Sequence, residues 1–312
     1  MKTFILRGLL FLLPLFVVAI PLEYLIRQVP NPYKYKYEWM QKHAEDVECI
    51  ILGSSHTFYG IRPEFFGDKS FNLANVSQGL SQDLFLLKYW ADRYKNLKTV
   101  VFPISFYTWF SHGLEAGSES YRCRYYKIYM DCDFYPDFSL YNLEMSDFRT
   151  AKGKLMKILR PDTDPGYDEY GWGNTFKLSG KNMYNWNDGT EAMAAVERHK
   201  AKNWENIERN YSLMKELADF CKCHGIQLIL ITTPCWNTYY SHLEEGQLKK
   251  MYEMTHQFQK EYDLTYFDYM KDSRFVADDF FDSNHLSDVG AVKFSKILDQ
   301  DIQSLSKGNE NN

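Results

Sequence analysis

The chain has 312 residues, enough for one large domain or two small ones, each with a sizeable core. Its 36 Lys and Arg against 41 Asp and Glu leave a formal charge of −5, which argues against the basic footprint of a nucleic-acid surface. Aromatic residues make up 17% of the chain, led by 24 Tyr and 22 Phe, a supply that can build a core or line a groove.

The N-terminal stretch MKTFILRGLLFLLPLFVVAIPLEYLI is a different material. From Gly8 to Ile26 the one charged residue is Glu23, and the run is about long enough to cross a bilayer. Lys2 and Arg7 precede it, as in a signal anchor. Bulky residues follow Ala19, where a cleaved leader would need small ones. A single-pass, uncleaved anchor over 1–27 is therefore expected. Arg27, Lys34, Lys36 and Lys42 compete with Lys2 and Arg7 for the cytoplasmic side, but long domains translocate largely regardless of flanking charge. The bulk of the chain is expected outside the cytoplasm, periplasmic or extracellular.

RQVPNPYKYKYEW, from Arg27, holds two prolines and no apolar period, and residues 28–45 read as a tether. ECIILGS at 48–54 is an unbroken apolar run, the pattern of a strand covered on both faces. SFNLAN at 70–75 reads as a second strand. QDLFLLKYWADRYK at 82–95 places Leu84, Leu87, Ala91 and Tyr94 on one helical face, and TVVFPIS at 99–105 returns to strand. Between about 107 and 200 the rhythm breaks into segments such as ESYRCRYYKIYMDCDFYPDFSLY and NMYNWNDG. A structureless loop of that length is out of keeping with a compact domain, so an aromatic-rich insertion packed across one end of the sheet is expected.

Helical spacing resumes from Trp204 through Ile207, Tyr211, Met214, Ala218 and Cys221, with Gly225 as a stop. IQLILITTP at 226–234 is the most strand-like run. A helix follows through Leu248, Met251, Tyr252, Thr255 and Phe258, then a strand at LTYFDY, 264–269. The last helix begins near Ser287, a good cap, and turns Val292 and Leu298 inward. Residues 307–312 read as a disordered tail. Strands alternating with helices at this spacing point to parallel crossovers and an α/β sheet, in one domain over 46–306.

The six cysteines leave the compartment open. Cys123 and Cys132 flank a Tyr-rich stretch and could bridge in an oxidising space. Cys49 reads as a buried strand residue, and Cys221 and Cys223 face differently on a helix. CKCH at 221–224 lacks a second ligand pair at zinc-site spacing. GSSHTFYG lacks the lysine and spacing of a phosphate-cradling loop. Neither a metal nor a nucleotide cofactor is expected.

The chemistry concentrates in two places. ILGSSHTFYGI at 51–61 ends an apolar run in Gly53, Ser54, Ser55 and His56, at the strand end where open α/β sheets bind ligands. A serine hydroxyl becomes a nucleophile only when a base takes its proton and donors hold the oxyanion that forms. Taken alone, the stretch is better read as a turn whose serines satisfy backbone groups. DDFFDSNHLSDVGAVKFSKIL at 278–298 changes the balance, because Asp282 lies three residues before His285, directly ahead of the last helix. That spacing lets a carboxylate orient an imidazole.

Together, GSSHT after the first strand and DSNHLSDVGAVKFSKIL near the C-terminus resemble the SGNH (GDSL-like) hydrolase superfamily. Its first block is Gly-Asp-Ser, and its last is Asp-x-x-His before a helix. The likeness covers about 46–106 and 203–304, and implies a flavodoxin-like three-layer α/β sandwich with a mostly parallel sheet. Gly53 matches the glycine, Ser54 the usual aspartate and Ser55 the nucleophile; Asp282 and His285 match the last block. FNLANVSQG sits where the family's glycine block follows the second strand, so the resemblance implies an oxyanion donor in the backbone N–H of Asn75 or Ala74. The third block departs: the chain reads FPISFYTW, with Ser105 in place of an asparagine and a weaker donor. His56 is either a substrate contact or a solvated turn residue.

With its anchor, the chain resembles the cell-envelope members of that superfamily, which move or remove acetyl, or in one branch D-alanyl, groups on polysaccharides and wall polymers. The resemblance thus implies an esterase or O-acyltransferase working through Ser55, His285 and Asp282. Its substrate would be a carbohydrate polymer or an acyl donor, and its partner a membrane-bound acyltransferase. The alternative is a catalytically degenerate member that binds glycan or assists assembly, for which the lost asparagine speaks.

Overall fold

The apolar runs identified above become the strands of a sheet in the computed structural model, which describes residues 1–132, 135, 142–160, 164–181, 189–202 and 204–309. Along the chain run α1 (Lys2–Arg27), α2 (Pro32–His43), β1 (Cys49–Ile51), α3 (Ser55–Gly60), β2 (Ser70–Asn72), α4 (Leu80–Tyr89), β3 (Thr99–Pro103) and α5 (Cys123–Tyr129). They continue through α6 (Phe148–Ile158), α7 (Thr190–His199), α8 (Ile207–Cys223), β4 (Gln227–Thr232), α9 (Asn237–Tyr240), α10 (Glu245–Tyr262), β5 (Thr265–Asp268) and α11 (Asp288–Asn309). Two units divide them: Met1–Tyr37 with Ser118–Pro165, and Glu38–Gly117 with Gly166–Asn312.

The larger unit is an α/β layer structure. Its five strands lie in the order β2-β1-β3-β4-β5, and every pairing is parallel. All three residues of β1 are buried, as a strand covered by helices on both faces requires. From β1 the chain moves first to β2 on one side and later to β3 on the other. Such a reversal opens a crevice at the carboxyl ends of the two central strands. Ile51, Val101, Ile229 and Ile231 of the sheet pack against Phe280, Leu286, Phe294 and Leu298.

The first turn of α11 is anchored with care. Ser287 Oγ donates to the Asp278 carbonyl at 2.8 Å and accepts from the Gly290 N–H at 3.2 Å, as a cap should. Lys293 Nζ reaches Asp279 Oδ2 at 2.7 Å. Gly290 is needed for close approach, because a Cβ there would stand 1.8 Å from the Asp279 carbonyl oxygen.

Several expectations shift. The inward stripe of α11 is Ala291, Phe294 and Leu298, with Val292 half-buried. α4 ends at Tyr89, and Ala91–Arg93 tightens into a 3₁₀ turn, so Ala91 and Tyr94 leave the helical face that buries Leu84 and Leu87. The stretch read as a tether carries α2. Proline suits its first helical position, and its packing comes from rings rather than an aliphatic period: Tyr33 meets Tyr125 and Tyr126, while Trp39 stacks on Phe71 at 3.8 Å. The insertion is shared between the two units: Ser118–Pro165 belongs to the smaller, and the parts before and after it to the larger. α11 continues to Asn309, into the stretch expected to be disordered; 310–312 lie outside the described residues.

In the smaller unit, α1 is long and apolar enough to cross a membrane, with an 18-residue window, Leu10–Arg27, of mean hydropathy 2.0. Its one acid serves as a clamp. The Glu23 carboxylate accepts from the N–H groups of Glu144 and Met145 at 2.9 and 3.0 Å and from Arg27 Nε at 2.8 Å. Arg27 Nη2 also donates to the Asn142 carbonyl at 2.5 Å. Nearby, the buried Glu144 pairs with Lys154 of α6 at 2.5 Å.

Gly290→Ala should lower stability by about 1–3 kcal/mol through overpacking against backbone, seen as a fall in the urea midpoint. An unchanged midpoint would mean that α11 does not approach residue 279 so closely.

Candidate functional site

Ser55 stands where β1 ends. Gly53 turns the chain with φ +111°, a conformation side chains resist, and a Cβ there would lie 2.2 Å from Pro103 Cγ. Ser55 then opens α3, so its own N–H has no acceptor within the helix. The turn is braced from below. Gly53 N–H donates to Asp83 Oδ1 at 2.8 Å, and Gln78 Nε2 donates to the same oxygen at 2.6 Å. Burial pushes the Asp83 carboxyl up to about 7, against these hydrogen bonds, which pull the other way.

The second half of the site is a tight loop. Phe280 and Leu286 form an antiparallel bridge, and Phe281 N–H donates to the His285 carbonyl at 2.9 Å. Within the loop Asp282 Oδ1 accepts from the N–H groups of Asn284 and His285, at 3.0 and 2.8 Å. Both Asp282 oxygens lie 2.9 Å from His285 Nδ1. Burial would raise Asp282, but His285 and the two backbone donors outweigh it and hold the carboxyl below its usual range. A carboxylate at Nδ1 keeps the ring's proton there, leaving Nε2 as an acceptor. Ser55 Oγ is 2.8 Å from that nitrogen. Residues 55, 285 and 282 thus form one continuous hydrogen-bonded line.

The other residues singled out from the sequence do different work. His56 is neither solvated nor open to a ligand: it is 5% exposed, and protein groups occupy both ring nitrogens. Asn284 Nδ2 donates to Nε2 at 2.9 Å, and Nδ1 faces Ser105 Oγ at 3.2 Å. With Nε2 accepting, Nδ1 carries the ring proton, so Ser105 Oγ accepts from His56 and keeps its own hydrogen to donate. The N–H of Ala74 donates to Asn72 Oδ1 at 3.0 Å and that of Asn75 to the Gly53 carbonyl at 3.3 Å, so the loop after β2 spends both on its own shape. Gly53 gives its N–H to Asp83. Ser54 Oγ pairs with Tyr107 Oη at 2.9 Å.

Sequence reasoning missed several neighbours. Asn284 was visible inside the DSNH run, but its partner His56 lies 228 residues away. His199, at the end of α7, places its ring 4.6 Å from Tyr107 and 6.0 Å from His56, with Nδ1 2.7 Å from Tyr239 Oη. Burial, then His285 and Arg198, lower His199 to about 3. Burial, then His285 and His199, hold His56 well below an ordinary histidine. Both imidazoles are neutral at physiological pH.

Three half-buried rings form a wall beside His285. Tyr59 stacks on Phe176 at 3.8 Å, and Phe176 on Phe281 at 4.2 Å. Phe176 meets the His285 ring edge-on at 5.2 Å. Asp288 N–H donates to the Phe176 carbonyl, and Leu178 N–H to Asp288 Oδ1, both at 2.8 Å, so the start of α11 pins this wall. Glu191 of α7 accepts from Ser283 N–H at 3.0 Å and steadies the loop from the other side.

No family model matches the chain, and no curated protein matches it in sequence. Among solved structures, a "putative acylhydrolase" from Bacteroides fragilis is similar over 91% of this chain and 94% of its own, at 11% identity and a TM-score of 0.41. A likeness that distant carries no argument about activity, and the site rests on its own geometry.

The depressed His56 gives a pH signature. Below about pH 6.5 the unfolded chain takes up a proton that the folded imidazole refuses, so stability falls as pH falls, by about 1.4 kcal/mol per unit. Between about pH 7 and about pH 5, wild type should lose about 2 kcal/mol more than His56→Gln in urea titrations. Parallel losses in the two proteins would show that His56 titrates freely.

Proposed function

We propose that the protein is a serine-dependent esterase or O-acyltransferase of the SGNH type, acting on acyl groups, with acetyl the foremost, of a cell-surface polysaccharide. The observation that carries the reading is the line from Ser55 Oγ through His285 to Asp282, 2.8 Å at its first link and 2.9 Å at its second. Ser55 Oγ attacks the acyl carbonyl carbon as His285 Nε2 takes its proton, and the imidazolium that forms is stabilised by Asp282. Collapse of the tetrahedral intermediate expels the alcohol, protonated by His285, and leaves the acyl group on Ser55. Water or a sugar hydroxyl, deprotonated by the same imidazole, then takes the acyl group.

The Ser55 N–H at the start of α3 is the donor in reach of the developing oxyanion. Neutral His56 and His199 place no second positive charge beside His285 when it holds the proton. Tyr59 and Phe281, the two ends of the stack around Phe176, support a sugar substrate, since flat rings pack against the apolar faces of pyranoses. The apolar α1 supports an anchored protein working on surface polymer.

One observation favours a second reading, a non-catalytic glycan-binding or assembly protein. The N–H groups of Gly53, Ala74 and Asn75 are all engaged elsewhere, and a missing oxyanion donor costs about 100-fold or more in rate. Under that reading Ser55→Ala/His285→Ala would retain glycan as wild type does, with no ester turnover by either.

A serine-directed fluorophosphonate tests the enzyme. Wild type should label and Ser55→Ala should not; equal labelling of the two, or of neither, overturns the reading. His285→Ala should slow acetyl-ester cleavage by about 10³–10⁴-fold and Asp282→Asn by about 10²–10⁴-fold. Tyr59→Ala should raise KM for an acetylated oligosaccharide several-fold while leaving a small aryl acetate unaffected.

A further inference from the structure

The smaller unit holds a second apolar surface that neither the anchor nor the proposed chemistry uses. α6 and the residue pair after it read FRTAKGKLMKILR over 148–160, with five cations and no acid. Lys154 turns inward to Glu144. On the outer side Leu155, Met156 and Leu159 are exposed, Leu159 at 68%, and Arg149, Lys152, Lys157 and Arg160 lie alongside them at the surface. A helix whose leucines face outward beside a row of cations has the pattern of one that lies in a lipid–water interface.

Its position within the unit agrees. The clamp from Glu23 and Arg27 to residues 142–145 fixes the segment leading into α6 against the last turn of α1. From Phe4 to Leu25, α1 rises roughly 32 Å at about 1.5 Å per residue, close to the ~30 Å of a bilayer's hydrocarbon. The boundary of the membrane that α1 crosses therefore falls at that last turn. A cleft of about 320 Å³ lies at the same level, lined by Leu25, Val29, Pro30, Lys157, Ile158 and Pro165 among others.

We propose that α6 is a membrane-interface helix. It lies on the bilayer that α1 enters, with Leu155, Met156 and Leu159 among the upper acyl groups and Lys152, Lys157 and Arg160 at anionic headgroups. The partner is the bilayer surface itself, selected by continuity with α1 and by charge. The inference stands whether or not Ser55 is a nucleophile.

The test uses the full chain in nanodiscs of phosphatidylcholine, alone or mixed equally with phosphatidylglycerol. A photoreactive benzoylphenylalanine replaces Leu159 or, separately, Leu155, with Leu13 of α1 as the reference position; lipid adducts are read by mass spectrometry. Adducts are expected at 159 and 155 as well as at 13, with a higher yield at 159 in the anionic discs. Lys152→Glu, Lys157→Glu and Arg160→Glu should each cut that gain by about fivefold. Adducts at 13 without any at 155 or 159 overturn the proposal. So does a yield at 159 indifferent to lipid charge, or the absence of adducts at 13, which would leave α6 no bilayer to lie on.

Discussion

A hydrogen bond of 2.8 Å joins two side chains 230 positions apart, Ser55 and His285. Most of the larger unit can be understood as the means of keeping it. Such a bond is worth little in net stability, so it does not hold the fold together; the fold holds it. On one side, the glycine turn at 53 is pressed against Pro103 and tied to Asp83. On the other, Ser287, Gly290 and Lys293 fix the first turn of α11 to residues 278–279, and the bridge between Phe280 and Leu286 closes the loop.

Electrostatics make the pair selective. The His56 ring lies 4.9 Å from that of His285 and 6.0 Å from that of His199, and of the three it is His285 whose Nδ1 bonds a carboxylate. The other two are held neutral by burial and by their neighbours. The cost is borne by the fold at low pH, where the unfolded chain gains protons that the native state declines.

The legible parts of the sequence were those where chemistry and local geometry share a short stretch. Asp282 and His285 could be paired by eye because one loop holds both, and Ser55 because an apolar run ends just before it. The alternation of apolar runs and helical periods likewise exposed the parallel sheet. What escaped were relations created by tertiary contact. The fate of the N–H groups at Gly53, Ala74 and Asn75 depends on Asp83, on Asn72 and on the strand-end carbonyl at Gly53 itself. Phe176 lies in an irregular stretch with no period to announce a face, and His199 closes a short helix whose buried stripe is Ala192, Ala195 and Val196. α2 was missed because Tyr33 and Trp39 pack as rings, which leaves no aliphatic rhythm.

The fastening of Phe176 and Leu178 to Asp288 gives the crevice a particular mechanical character. Phe176, Phe281 and the imidazole ride on one block, the head of the C-terminal helix, whereas Tyr59 and the serine share α3. Any breathing that widens the entrance by shifting that block must also draw the imidazole away from the hydroxyl. Widening of the crevice and contact between the imidazole and the hydroxyl are therefore opposed states of a single joint.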